Sequence, residues 1–241
     1  MSELSEHTTI GEIVSTDFRT AAIFERFGID FCCGGRQSIG EACRSAAVDP
    51  ATVSRAIEAL PPTDESSDDD FMQVPLPQLI DHIVETHHQY LRLAVPMVGR
   101  YLAKLVEVHG ARHPELARVQ DSFNRLGGVL MQHMVKEERV LFPYMRDLAT
   151  HGVDASWPSP FGTVENPIRM MEREHREAGD ELRQIRELTG GFTPPDDGCP
   201  TYRVCFEELA HFERDLHRHV HLENNVLFPR VIEIERRSWR S

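Results

Sequence analysis

From about residue 76 onward, apolar residues return at intervals of three and four, the spacing that gathers side chains on one face of an α-helix. Four long segments carry this pattern: Pro77 to Val108, Pro114 to Ala149, Pro167 to Leu188 and Thr201 to Arg237. Breaks separate them at His109-Gly110, from Gly152 through Pro160, and from Gly190-Gly191 through Pro200, with Pro194-Pro195 inside the last. Glycine interrupts a helix because its backbone is loose, proline because it has no N–H to donate. Four helices with short to moderate loops predict an antiparallel bundle, and with no alternating run of strand length the fold class is all-α.

The first 60 residues read differently. Thr9 to Val14 leads into Asp17 to Phe24, where helical spacing continues until Gly28 ends it. Ser38-Ile39-Gly40-Glu41 has the form of a capped helix start. A further helix is expected from Asp49 to Leu60, with Asp49 as N-cap and Pro50 at the first position. Three short helices make a small module over residues 1–60. Pro61-Pro62-Thr63-Asp64-Glu65-Ser66-Ser67-Asp68-Asp69-Asp70 is too acidic and polar to bury itself, so 61–75 reads as a linker and 76–237 as the bundle domain.

Composition narrows the function classes. Hydrophobic residues make up 40%, mean hydropathy is -0.38, and no apolar run approaches the roughly 18 residues of a membrane span. A net charge of -13 disfavours nucleic acid and anionic membranes as partners, and the tail arginines Arg236 and Arg237 are interspersed with Glu233 and Glu235. The start shows no basic segment followed by an apolar one, so a cytoplasmic location is expected. The five cysteines are odd in number and form no C-x-x-C, which argues against a disulfide framework and a zinc ribbon.

Thirteen histidines are many for this length, and two of them sit in a repeated motif. His133-Met134-Val135-Lys136-Glu137 and His219-Val220-His221-Leu222-Glu223 both continue to Val-Leu-Phe-Pro, giving H-x-x-x-E-x-x-V-L-F-P on the second and fourth bundle helices. Residues four apart share a helix face, so each helix presents an imidazole and a carboxylate together. One H-x-x-x-E is usually an exposed ion pair. Two copies on alternate helices, each with an apolar trailer suited to core packing, point to a shared metal centre. Pro143 and Pro229 are placed to reshape the helices just beyond.

The third helix offers His175 near its apolar stripe, and the first offers His82, His87 and His88. Periodicity aligns His87 with Ile80, Ile83, Leu91 and Ala94, and His88 with Val84, Leu91 and Val95, which leaves the choice open. Four histidines and two glutamates suit two ions of iron or manganese, since structural zinc sites close with four ligands and magnesium or calcium prefer oxygen. His109, His113 and His151, at helix ends or loops, are expected to be solvated. His211, His217 and His221 should point away from the centre, and His7 lies in the tail.

Asp30-Phe31-Cys32-Cys33-Gly34-Gly35 is an unusual turn. Chemistry alone favours a glycine-rich turn with one buried cysteine. The alternative is a thiol pair exposed by the glycines near a helix N-terminus, which would lower a thiol pKa. With Ile80-Asp81-His82, Glu174-His175-Arg176-Glu177-Ala178-Gly179 and Leu222-Glu223-Asn224-Asn225-Val226-Leu227-Phe228-Pro229-Arg230, this turn makes the chain resemble the repair-of-iron-centres family of the ScdA/YtfE type. The resemblance runs nearly the whole length. It implies a haemerythrin-like four-helix bundle with two non-haem irons, oxo- or carboxylate-bridged. On the first bundle helix it selects His88, giving His88, His133, Glu137, His175, His219 and Glu223 as the metal set, with Glu137 and Glu223 bridging. It implies Cys32 and Cys33 as redox or iron-transfer thiols, and damaged iron–sulfur proteins and diatomic ligands such as nitric oxide or dioxygen as partners. A homodimer is left open. The expected role is repair of iron–sulfur clusters after nitrosative or oxidative stress by iron donation. Nitric oxide reduction at the same centre is the alternative, followed by a gas-sensing binding module.

Overall fold

The computed structural model describes residues 5, 7–61, 71–152 and 161–239. Most of the linker, at 62–70, lies outside the described residues. Within them the chain forms eight helices and no strand, only one isolated antiparallel bridge between Thr9 and Ser38.

The N-terminal module has four short helices where three were expected: α1 (Ile10–Thr16), α2 (Thr20–Arg26), α3 (Ile39–Ser45) and α4 (Pro50–Glu58). The extra break falls at Asp17, whose extended backbone ends α1 while its carboxylate accepts from the Arg19 backbone N–H and guanidinium. Thr9 with Glu12 and Ser38 with Glu41 form reciprocal capping boxes on α1 and α3, and Asp49 caps α4 ahead of Pro50. Each such cap is worth about 1 kcal/mol. Gly28 ends α2 at φ +67°, a conformation that glycine adopts without steric cost.

The bundle consists of α5 (76–109), α6 (115–151), α7 (Glu165–Leu188) and α8 (200–238). Three of these are not uniform. A wide π-helical turn interrupts α5 at Ile83–His88, α6 at Glu137–Leu141 and α8 at Leu222–Leu227. Such turns recur at functional sites because they rotate the side chains beyond them. Pro143 and Pro229 stand two residues past the end of the second and third, and neither has an N–H for the preceding turn. The turn in α5 has no proline beside it, so proline alone does not make them.

Buried apolar residues fall into two clusters. One joins the N-terminal module to the bundle half containing Leu91, Leu130, Ala178 and Leu216; the other holds Ile83, Leu141, Met171 and Phe228. On every bundle helix the expected metal residues lie at the boundary of the two. The Val-Leu-Phe trailers differ from the core role expected in one position. Leu141, Phe142, Val226, Leu227 and Phe228 are buried, but Val140 is 49% exposed. Val226 shares a small enclosed space with Val14 and Phe18 of the N-terminal module, and that module covers α8 rather than the Val140 face of α6.

Candidate metal centre

The six residues converge. His88, Glu137, His219 and Glu223 form one buried group of donors, and His133, Glu137, His175 and Glu223 a second, with donor atoms in each within 4.8 Å of one another. Both glutamates belong to both groups. Glu137 turns Oε2 toward His88 Nε2 (3.5 Å) and Oε1 toward His133 Nε2 (3.2 Å). Glu223 turns Oε1 toward His219 Nε2 (3.0 Å) and Oε2 toward His175 Nε2 (3.0 Å). The Nε2 atoms of His88 and His219 approach to 3.2 Å, and those of His133 and His175 to 3.0 Å.

This geometry fits two cations sharing two carboxylates. All six side chains are at least 98% buried, and both oxygens of Glu137 and Oε2 of Glu223 have no hydrogen-bond partner. The ring nitrogens near them lie off the line that a hydrogen bond requires. Burying an uncompensated carboxylate costs several kcal/mol, so this cage demands positive charge at its centre. Burial alone would lower the His133 pKa, but Glu137 and Glu174 outweigh it and hold the ring at about 10. Burial would likewise raise Glu223, yet His219 and His175 keep it well below the carboxylate range. His88 moves down, through burial and the nearby His219 ring. Nitrogen and carboxylate donors without thiolate suit iron or manganese.

Outer partners orient three of the four rings. His88 Nδ1 donates to Glu138 (2.7 Å), which Arg92 also holds. His133 Nδ1 donates to Glu174 (2.8 Å), which Lys136 also holds. His175 Nδ1 donates to Asn224 Oδ1 (2.9 Å). Each bond keeps Nδ1 turned outward with its proton, so that Nε2 is the nitrogen facing the shared carboxylates, as metal binding needs. His219 Nδ1 is buried without such a partner, and its ring lies parallel to that of His87 at 5.7 Å. His87 itself donates to Asp215 and belongs to neither donor group. His82 packs against Phe71 instead.

Two of the remaining histidines, His109 and His221, are buried outside the donor groups. His109 is buried rather than solvated, because its Nε2 meets Cys199 Sγ at 3.2 Å and Tyr202 packs edge-on against its ring. His221 points away from the centre, but into the N-terminal module, where Phe18 and Phe31 pack on it. Burial, aided by Arg218, lowers its pKa to about 3. His217 pairs with Glu25 of the same module, while His151 and His211 are exposed.

The cysteine turn rests on this end of the bundle. Asn225 Nδ2 donates to the carbonyls of Phe31 and Cys32, both at 3.2 Å, and Asn224 Nδ2 also reaches Cys32 O at 3.2 Å. A Cβ on Gly35 would stand 2.2 Å from Asn225 Oδ1, and one on Gly34 2.5 Å from the Asp30 carbonyl. We expect Gly34→Ala, which meets rigid backbone, to destabilise the chain by about 1–3 kcal/mol in urea unfolding. A loss below a few tenths would contradict the tight turn. The glycines stood out in the sequence, but no spacing marked the two asparagines that hold the Phe31 and Cys32 carbonyls.

The thiols match a glycine-rich turn with one buried cysteine, Cys32, and not the activated pair. No helix begins at the turn; α3 starts at Ile39. The Cys33 sulfur, burial and Asp30 push the Cys32 thiol well up, and burial with Glu208 takes Cys205 to about 12. Cys33 is half-buried. At pH 8 iodoacetamide should therefore label Cys33 well before Cys32, Cys43 or Cys205, as read by peptide mapping. Equal labelling of Cys32 and Cys33 would refute this ordering.

Fold and site define a haemerythrin-like, iron-binding helical bundle. Residues 79–231 match the hemerythrin HHE cation binding domain, and residues 6–61 match the ScdA N-terminal domain, a domain of unknown function. The chain is 36% identical to the iron–sulfur cluster repair protein YtfE of Dickeya chrysanthemi over 94% of this chain and 97% of that protein. It is 34% identical to the iron–sulfur cluster repair protein ScdA of Staphylococcus haemolyticus over 93% and 98%. A probable iron–sulfur cluster repair protein of Haemophilus influenzae is 32% identical over 87% and 90%. The chain belongs to the ScdA/YtfE family of iron–sulfur cluster repair proteins, those with a haemerythrin-like domain.

Proposed function

We propose that this protein holds two irons between His88, His133, Glu137, His175, His219 and Glu223 and donates iron to iron–sulfur proteins damaged by nitrosative or oxidative stress. The observation that carries this is the pair of shared carboxylates, each offering one oxygen to each of two imidazole pairs. The relatives' names supply the repair role. Bound iron supplies redox-active, exchangeable metal. The protein's own groups do the rest: Glu138, Glu174 and Asn224 orient the rings, and the apolar clusters on both sides exclude water.

The thiols of Cys32 and Cys33 belong to the proposal as a route for iron, since their turn is one side chain away from His175. Residues 1–60 and 76–237 act as module and bundle, in the cytoplasm. Among the described residues no helix is long and apolar enough to cross a membrane.

The test is restoration of a nitric-oxide-damaged [4Fe–4S] enzyme. Iron-loaded protein should restore its activity, while iron-free protein and a Cys32→Ser/Cys33→Ser variant should restore less. Equal recovery in all three would overturn the donation role.

A further inference from the structure

Asn224 stands between the metal-facing rings and the cysteine turn, 93% buried. Its two amide ends do different things. The Nδ2 group donates, and it donates to the Cys32 carbonyl at 3.2 Å. Oδ1 is then turned to His175 Nδ1 at 2.9 Å, and because an amide oxygen only accepts, that ring nitrogen carries the proton. His175 Nε2 is left with its lone pair facing Glu223 Oε2 and His133 Nε2, each at 3.0 Å.

The other orienting groups are built otherwise. Glu138 and Glu174 are carboxylates held by Arg92 and Lys136, cations of the bundle itself. Asn224 alone among them is neutral and is held by backbone from the N-terminal module. Asn225 grips the same turn through Phe31 O and Cys32 O without touching the metal-facing rings.

We infer that Asn224 is a positioning residue that couples iron retention at His175 to closure of the Cys32-Cys33 turn. The inference rests on the iron reading of the site. When a cation engages His175 Nε2, the ring becomes a stronger Nδ1–H donor. Asn224 Oδ1 is then held more tightly, and its polarised amide grips Cys32 O more firmly. Coupling of this kind is reciprocal, so drawing the turn away from Asn224 loosens the hold on iron by the same factor. Iron would thus be retained while the turn is closed and given up when a recipient displaces it.

Two rates in the full chain test this: iron loss to a ferrous chelator, and iodoacetamide labelling of Cys33 with and without iron. Labelling of Cys199, half-buried and away from the turn, serves as the internal reference. In the unsubstituted protein, iron should slow Cys33 labelling several-fold and leave Cys199 unchanged. Asn224→Asp keeps an acceptor for His175 but sets a carboxylate oxygen against the Cys32 carbonyl. It should lose iron several-fold faster, by about the factor with which iron slows Cys33 labelling in the unsubstituted protein and less than Asn224→Ala does, while Cys33 labelling becomes fast and independent of iron. Asn224→Ala removes both bonds and should lose iron about 10-fold faster or more. Cys33 labelling that ignores iron in the unsubstituted, iron-loaded protein overturns the inference, as does iron loss from Asn224→Asp as fast as from Asn224→Ala. Failure of the unsubstituted chain to take up iron would sink the metal reading and this coupling together.

Discussion

Glu223→Ala is expected to empty both metal positions, whereas His219→Ala should empty chiefly one. The difference follows from where the atoms point. Glu223 Oε1 lies 3.0 Å from His219 Nε2 and 3.9 Å from His88 Nε2, while Oε2 lies 3.0 Å from His175 Nε2. One side chain therefore serves both donor groups, and each imidazole serves one. Iron content should fall from about two per chain to near zero for Glu223→Ala. Glu137→Ala should behave alike, since its two oxygens divide between His88 and His133 in the same way. Equal iron loss from Glu223→Ala and His219→Ala would show that the carboxylates are not shared.

Phe228→Ala should give a large loss of stability, and Val140→Ala almost none, although both belong to the repeated motif. Phe228 is fully buried and its ring lies parallel to that of His175, with centroids 6.2 Å apart. Truncating a buried phenylalanine costs about 3–5 kcal/mol through lost burial and the cavity left behind. In a chain of this size that corresponds to a melting temperature lower by roughly 10 °C. Val140, half in solvent, should cost under about 0.5 kcal/mol. The comparison belongs in iron-free protein, so that metal loss does not add to the cost. A Phe228→Ala penalty below about 1 kcal/mol would mean that the packing around His175 is looser than described.

The motif made two of the four helices that supply the clustered donors legible, because a four-residue spacing survives within a turn and a half. The first helix was harder for a physical reason. Counting at 3.6 residues per turn aligned His87 with Ile80 and Ile83 and His88 with Val84 and Leu91, leaving both open, and the π-helical turn at Ile83–His88 spends an extra residue that shifts the face. Both His87 and His88 end up buried, and only His88 reaches the donors. The family resemblance, not the periodicity, singled it out. The burial of His109 and His221 was illegible because it arises from contacts between distant segments, whereas the break at Asp17 is a local pairing with Arg19 that helical spacing does not register. Asn224 and Asn225 carried no spacing signal at all. Their role appears only when the N-terminal module is seen lying against α8.

The claim that two cations share Glu137 and Glu223 is tested most directly by metal analysis with a Mössbauer spectrum of the purified, oxidised protein. The account requires about two irons per chain and an antiferromagnetically coupled diferric signal, as expected for a pair joined by bridging ligands. One zinc per chain, or a single isolated iron, would contradict it.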